Sequence, residues 1–239
     1  MRLDKLLAHC GIGTRKEMKQ LIRKGHVQVN GDIVKKDDYQ VNENKDIVEL
    51  DGQRIDYRRY VYLMLNKPQG YISATMDQVH PTVIDLIEGY EHYDLFPVGR
   101  LDIDTVGLLL LTNDGQLAHH ILSPKKHISK IYYAKINARV DEEDIKVFKQ
   151  GLDLGDFVSL PANLTILKAS DEESEVEIEI VEGKFHQIKR MFEAVGKQVV
   201  YLKRLKMKNL VLDPSLKEGE YRELTNDELE NLIKIGIKS

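Results

Sequence analysis

A run of apolar residues constrains the fold more than any other part of the sequence. Residues Val106–Thr112 contain four consecutive leucines after a glycine, and Asn113-Asp114-Gly115 follows directly. A short apolar run that ends at such turn residues is typical of a buried strand. The sequence therefore predicts a β-strand in the interior of a sheet, and this strand ends at an Asn-Asp-Gly turn.

A charged loop precedes this strand. Arg100 and Asp102 lie two residues apart in the segment 99–105, directly before the apolar run. A buried strand holds the loop beside it rigidly, and a catalytic carboxylate needs such support. The alternative is an exposed Arg–Asp pair with no catalytic role, which would be the better interpretation in an arbitrary protein. The loop alone leaves both interpretations open.

The charge is unevenly distributed along the chain. The formal net charge of -4 argues against nucleic-acid binding through bulk charge, so any such binding depends on local patches. Residues 1–36 hold nine basic and three acidic residues, and residues 184–208 hold eight basic residues and one acidic residue. Two basic segments in an acidic chain indicate a protein that binds RNA at selected places.

Residues 1–57 are predicted to form a separate small domain. Thr14 and Glu17 have the spacing of a capping box at the start of a helix, Gly25 suits its end, and Asn30-Gly31 is a strong hairpin signal. A preceding helix is predicted from one apolar face, formed by Leu3, Leu6, Leu7 and Cys10. Residues 51–59, with Asp51-Gly52 and alternating charges, are interpreted as a linker.

Residues 60–239 are predicted to form a second domain. Strands are expected at residues 60–65, 106–112, 131–136 and 176–180, and helices at residues 116–122, 142–152 and 187–195. Strands and helices mix without a regular βαβ rhythm, which favours an α+β fold with a mostly antiparallel mixed sheet and flanking helices.

Several classes of protein lack support in the sequence. No run approaches the roughly 20 apolar residues of a membrane-spanning helix, and the N-terminus has no signal-peptide pattern. Cys10 is the only cysteine, and the histidines have no metal-ligand spacing. We expect no metal, no cofactor, no membrane partner and a location in the reducing cytoplasm.

Three short motifs characterise the first domain: Arg2-Leu3-Asp4-Lys5, Thr14-Arg15, and Gly25-His26-Val27 before the hairpin. Through these motifs the domain resembles the S4 RNA-binding domain. A solvated helix face would explain the basic residues without RNA, but the resemblance favours RNA contact. The residues that it assigns to RNA binding are Arg2, Lys5, Arg15, Lys16, Lys19, Arg23 and Lys24.

Five motifs characterise the second domain: Lys67-Pro68-Gln69-Gly70, the segment 99–115, Lys130-Ile131-Tyr132, the segment 182–192 and the segment 219–224. Through these motifs the domain resembles the pseudouridine synthases of the RsuA-like family. The family often has Arg-Tyr where Lys184-Phe185 stand here. The resemblance implies conversion of uridine to pseudouridine without a cofactor.

The same resemblance suggests a role for four residues. Asp102 matches the catalytic residue, and Lys189 matches the basic residue that pairs with it. Burial favours a protonated carboxyl group, while a cation within about 4–6 Å favours the charged carboxylate. Tyr132 matches the tyrosine that contacts the target base, and Arg100 is suited to fill the space of the flipped nucleotide or to hold its phosphate.

The sequence thus predicts an enzyme that isomerises a specific uridine in 16S rRNA through base flipping and Asp102. A sibling enzyme for 23S rRNA is the first alternative, and a non-catalytic rRNA-binding assembly factor is the second. The expected partner is rRNA, within a small-subunit assembly intermediate, and the expected state is a monomer. The sequence leaves open whether Asp102 attacks the base or the sugar.

Overall fold

The computed structural model describes residues 1–234. Contacts within the chain divide it into two units. The first comprises Met1–Val61 together with Glu88–Asp94, and the second comprises Tyr62–Ile87 and the chain from Leu95 onward. Each unit has its own apolar core.

The N-terminal unit contains two helices and a four-stranded sheet of order β2-β1-β3-β4. Its elements are α1 (Leu3–His9), α2 (Arg15–Lys24), β1 (Val27–Val29), β2 (Asp32–Ile33), β3 (Val48–Leu50) and β4 (Gln53–Arg54). The predicted capping box is confirmed, because Glu17 N–H donates to Thr14 Oγ1 at 3.3 Å and Thr14 N–H donates to Glu17 at 2.7 Å. Gly25 ends α2 in the left-handed conformation, as expected.

The interpretation of residues 51–59 as a linker is wrong for its first half. Asp51 and Gly52 form the turn of a hairpin in which Leu50 pairs with Gln53. Tyr57 packs against the apolar core of the same unit. An Asp-Gly pair marks a turn, and charged flanking residues do not prevent a short exposed strand from following it.

The second unit is built on a nine-stranded sheet, in which seven strands have the order β13-β5-β7-β11-β8-β10-β9. The two other strands pair with members of this series, β6 with β7 and β12 with β11. Its strands are β5 (Tyr62–Lys67), β6 (Phe96–Pro97), β7 (Val106–Thr112), β8 (Lys130–Ile136), β9 (Asn163–Ala169), β10 (Ser174–Ile180), β11 (Val199–Met207), β12 (Leu210–Val211) and β13 (Tyr221–Glu223). Its helices are α3 (Gly115–Leu122), α4 (Glu142–Gln150), α5 (Gln187–Ala194) and α6 (Asn226–Ile233). Among the described strands, only β7 and β11 pair in parallel, so the predicted α+β fold with a mostly antiparallel mixed sheet is confirmed.

The leucine run forms β7, the most buried strand of this sheet, between β5 and β11. Gly107 has φ +100°, and a Cβ there would lie 2.3 Å from the carbonyl oxygen of Arg204 on β11. Only glycine permits this approach, since the backbone of the neighbouring strand fills the space of a side chain. The close packing fixes the start of β7 and with it the loop that contains Asp102.

Candidate active site

Lys67 holds the loop that carries Asp102. Its side chain is buried at the end of β5, and Nζ donates to the carbonyl oxygens of Pro68, Asp102, Ile103 and Thr105 at 2.8–3.4 Å. Burial lowers the pKa of Lys67 to about 8, although the charges of Asp104 and Asp102 act in the opposite direction. The sequence suggested a turn at Lys67, whereas the structure makes it the last residue of a strand that reaches under the loop.

Ser73 fixes the same loop from a second position. Its Oγ accepts a hydrogen bond from Leu101 N–H at 2.9 Å and donates to the Leu101 carbonyl oxygen at 3.0 Å. Gly70 N–H donates to the carbonyl oxygen of Ile103 at 2.8 Å. The residues on both sides of Asp102 are therefore fixed by hydrogen bonds, and the carboxylate projects from a rigid backbone.

Lys189 lies between two carboxylates. Its Nζ is 3.3 Å from Asp102 Oδ2 and 2.6 Å from Asp104 Oδ1. Lys189 extends from α5 and its side chain is 18% exposed, against 27% for Asp102 and 51% for Asp104. Burial alone would raise the pKa of Asp104, but the hydrogen bond and the charge of Lys189 outweigh it and lower that pKa.

The structure brings Asp102 and Lys189 together, and it adds Asp104, which the sequence analysis did not select. Asp104 takes the shorter of the two contacts with the lysine. The segment 99–105 carried the signal, since a second carboxylate stands two residues after the first. The spacing did not show that a single lysine would contact both.

His186 is a second cationic candidate beside Asp102. Its Nε2 lies 3.7 Å from Asp102 Oδ1, and its ring stacks on Phe185 at a centroid distance of 3.8 Å. His186 precedes α5 with φ +50°, a left-handed conformation that is uncommon outside glycine. When protonated, this imidazole would add positive charge next to the carboxylate.

Tyr132 and Arg100 line one pocket with Asp102 and Lys189. Tyr132 is almost completely buried on β8, where it lies opposite Arg204 of β11. Arg100 is exposed and forms no ion pair with the residues that the structure describes. All four predicted residues of the catalytic site thus share a pocket, which also contains Lys184 and His186.

The predicted RNA-binding residues lie on and around α1 and α2, and four of them pair with acidic side chains. Arg2, Arg15 and Lys19 approach the fully buried carboxylate of Asp4 at 2.9, 3.4 and 3.9 Å. Arg23 contacts Asp37 at 3.0 Å. Burial raises the pKa of Asp4, but the hydrogen bond and charge of Arg2, with Arg15 and Lys19, lower it below its usual value.

The other three lysines of this group are exposed. Lys5, Lys16 and Lys24 form no ion pair within residues 1–234. Their charges face solvent without an acidic partner, which is the arrangement that phosphate groups can use.

Residues 1–234 contain no cluster of histidine, cysteine, aspartate and glutamate with the geometry of a metal site. In the same part of the chain, no helix combines the length and the apolar character needed to cross a membrane.

Known proteins define the class to which this fold and pocket belong. Residues 61–194 match the family model for RNA pseudouridylate synthase, and residues 1–47 match the S4 domain model. The chain therefore belongs to the RNA pseudouridine synthases, which are isomerases, and it carries an S4 domain.

Individual relatives place the chain in the RsuA-like family. It is 47% identical to an RNA pseudouridine synthase of Bacillus subtilis (strain 168), over 96% of this chain and 97% of that protein. It is 38% identical to ribosomal small subunit pseudouridine synthase A of Escherichia coli (strain K12), over 98% of this chain and 100% of that protein. A crystal structure of a pseudouridylate synthase, 39% identical, superposes with a TM-score of 0.68 over 97% of this chain and 99% of that one. The predicted family is confirmed.

Proposed function

We propose that this protein isomerises one specific uridine of 16S rRNA to pseudouridine, with Asp102 as the catalytic residue. The observation that supports Asp102 is its carboxylate, which lies 3.3 Å from the ammonium group of Lys189 in a pocket that also contains Tyr132 and Arg100. The rRNA substrate is supported by relatives named ribosomal small subunit pseudouridine synthase A, from Escherichia coli and, at 41% identity, from Haemophilus influenzae.

The reaction breaks the C1'–N1 glycosidic bond and forms a C1'–C5 bond after the uracil has turned. N1 gains a proton, C5 loses one, and no electrons are exchanged, so the isomerisation balances without an oxidant or an energy source. The target uridine must leave the base stack at a cost of about a few kcal/mol. Arg100 is assigned to the space or the phosphate of the flipped nucleotide.

Asp102 acts on the flipped nucleotide as an ionised carboxylate. It serves either as a nucleophile toward the uracil or the sugar, or as the charge that stabilises the departing base. Lys189 contacts this carboxylate at 3.3 Å and places a positive charge beside it in the pocket. Tyr132 is assigned to stacking on the uracil and to removal of the C5 proton.

Residues 1–57 are proposed to hold the RNA, and residues 60–239 to carry out the reaction. The seven basic residues on and around α1 and α2 supply the charge for phosphate contacts. The proposal includes a small-subunit assembly intermediate as the natural substrate, a monomeric enzyme and a cytoplasmic location.

The test is a map of pseudouridine in 16S and 23S rRNA from cells with and without the gene. The expected result is the loss of one pseudouridine in 16S rRNA, which a wild-type copy restores and an Asp102→Asn copy does not. Loss of a site in 23S rRNA would instead support the sibling enzyme. Unchanged maps of both rRNAs would contradict an rRNA substrate.

A further inference from the structure

A second cavity, here called the flanking cavity, adjoins the pocket of Asp102. Its volume is about 580 Å³, and it shares Arg100, Tyr132, Gly183 and Lys184 with the wall of the catalytic pocket. Asp102 and Lys189 do not line it. The flanking cavity is therefore a separate space that begins where the catalytic pocket ends.

Most of the wall of the flanking cavity is apolar. Val98, Ile128 and Met207 are buried in the core of the second unit, while Val158 and Leu160 are exposed. Such a wall favours a ligand with an apolar body and disfavours a fully hydrated ion.

Four cationic side chains interrupt the apolar wall: Arg100 and Lys184 are exposed, Lys130 is half-buried and Arg204 is buried. Arg204 is 2% exposed; its Nε donates to the Leu108 carbonyl oxygen at 2.7 Å, but its buried Nη2 has no hydrogen-bond partner among the described residues. Lys130 donates to the carbonyl oxygen of Ile128 at 2.9 Å. Burial lowers the pKa of Lys130 to about 8, and the neighbouring charge of Arg204 acts in the same direction.

The wall does not supply a matching acceptor for Arg204. Among the described residues that line the cavity, Glu182 is the one carboxylate, and its Oε1 accepts from Leu160 N–H and from Gln187 Nε2 at 2.8 and 2.7 Å. Buried donors are normally satisfied, so this N–H of Arg204 takes its acceptor from outside the described side chains, namely from a water or from a ligand in the cavity.

We propose that the flanking cavity binds a second nucleobase, which belongs to a nucleotide next to the target uridine and presents a carbonyl oxygen to Arg204. A nucleobase combines flat apolar faces with acceptor atoms at its edge, and this combination matches the wall. Guanine is the best-matched base, because arginine binds its O6 and N7 together. Enzymes that flip a base also recognise the nucleotides on either side of it.

This inference rests on the proposed position of the target uridine beside Asp102. If that uridine enters the catalytic pocket, its neighbour in the chain must leave along an adjacent surface, and the flanking cavity shares four wall residues with that pocket. The flanking cavity would thus recognise the RNA sequence next to the target uridine, and this recognition is separate from the catalytic step.

The test uses short single-stranded RNAs of adenosines around one uridine. In four probes, either the 5' or the 3' neighbour of the uridine is guanine or 2-aminopurine, which lacks the O6 carbonyl. Dissociation constants are measured by fluorescence anisotropy with the full-length Asp102→Asn variant, in which the probe stays unreacted. Guanine is expected to bind about fivefold or more tightly than 2-aminopurine at one of the two positions.

Variants locate the preference within the protein. Arg204→Met should abolish it, and Val158→Trp should abolish it by filling the cavity from its exposed rim, without a change in the core. Val211→Trp is the matched control, since Val211 is a similarly exposed valine outside both pockets and should keep the preference. Urea unfolding of each variant checks that it folds.

Equal affinities for all four probes would overturn the inference, and so would a preference that survives in the Val158→Trp variant. Neither result touches the proposed function. That proposal fails separately, if wild-type cells and cells without the gene show the same rRNA maps or if the Asp102→Asn protein still forms pseudouridine.

Discussion

Each unit contains one cluster of cations and carboxylates, and the two clusters differ in the ratio of cations to carboxylates. In the N-terminal unit, three cations surround the single buried carboxylate of Asp4. In the second unit, the single ammonium group of Lys189 contacts the two partly exposed carboxylates of Asp102 and Asp104.

The difference in proportion separates a structural carboxylate from a reactive one. Asp4 has no exposed surface and is held by a hydrogen bond from Arg2, so it fixes its cations in place and leaves a surplus of positive charge toward solvent. Asp102 shares its one lysine and keeps exposed surface toward a pocket, so its oxygens stay available to a substrate. The first cluster suits phosphate binding and the second suits chemistry at a carboxylate.

The largest expected effect distinguishes the two carboxylates that share Lys189. Asp102→Asn should lower pseudouridine formation by about 10³-fold or more, because an amide keeps the shape but cannot act as a nucleophile. Asp104→Asn should lower it by about tenfold or less, since an exposed ion pair contributes about 1 kcal/mol or less. Tritium release from C5-labelled uridine in rRNA measures both rates, and RNA affinity should stay within about a few fold in both variants. Substantial turnover by Asp102→Asn, or a larger loss in Asp104→Asn, would reverse the assignment.

A change in stability is expected at Asp4. Asp4→Asn should destabilise the N-terminal unit by about 1.5–3 kcal/mol at neutral pH, because it removes a buried charged hydrogen bond. The folded-state pKa of Asp4 lies below its unfolded value, so its contribution is present above about pH 4 and is lost as the pH falls through the folded pKa.

Urea unfolding of the full chain, with pulsed hydrogen exchange at residues 1–61, follows this unit by itself. Wild type and Asp4→Asn should differ at pH 7, and the difference should shrink as the pH falls below about 4. Asp37→Asn is the control, since Asp37 keeps some exposed surface and its loss should cost less than about 1 kcal/mol. A difference that is independent of pH would show that the charge of Asp4 does not stabilise the unit.

The smallest effect concerns the three lysines without acidic partners. Replacement of Lys5, Lys16 and Lys24 by glutamine should weaken rRNA binding and flatten its salt dependence, while Asp4 keeps all its cations. Each lost phosphate contact should reduce the slope of log K against log salt by about 0.7–0.9. A charge-matched control replaces three exposed lysines of the second unit that form no ion pair within residues 1–234, namely Lys135, Lys149 and Lys217. Equal slopes for both triple variants would mean that the face of α1 and α2 makes no special contact with RNA.

The sequence predicted local structure well where a few adjacent residues determine it. The capping box of α2, the Asn30-Gly31 hairpin and the strand β7 each depend on a short pattern that tertiary packing does not alter. Strand β11 was not predicted, because its lysines and arginine hide the period-2 pattern of a strand, although Arg204 at its centre is buried.

Contacts between distant segments were beyond the sequence patterns. The segment Glu88–Asp94 belongs to the N-terminal unit, where His92 lies so close to Gly11 that a Cβ at Gly11 would be 2.9 Å from the imidazole ring. The contact of Lys189 with Asp104 also joins segments that are far apart in the sequence. It depends on where α5 meets the loop of residues 99–105. Resemblance to a family identified Asp102 and Lys189 as residues of the pocket. Only the fold showed that this one lysine contacts two carboxylates.

The central claim is that catalysis at Asp102 needs the positive charge of Lys189, and a comparison of Lys189→Arg with Lys189→Met tests it most directly. Pseudouridine formation at pH 7 is measured on an rRNA fragment, and the dissociation constant for the same fragment is measured beside it. Lys189→Met removes the ammonium group that lies 3.3 Å from the Asp102 carboxylate, so it should lose most activity. Lys189→Arg keeps a cation and should retain more activity than Lys189→Met. A Lys189→Met variant as active as the wild type, at equal RNA affinity, would contradict the claim.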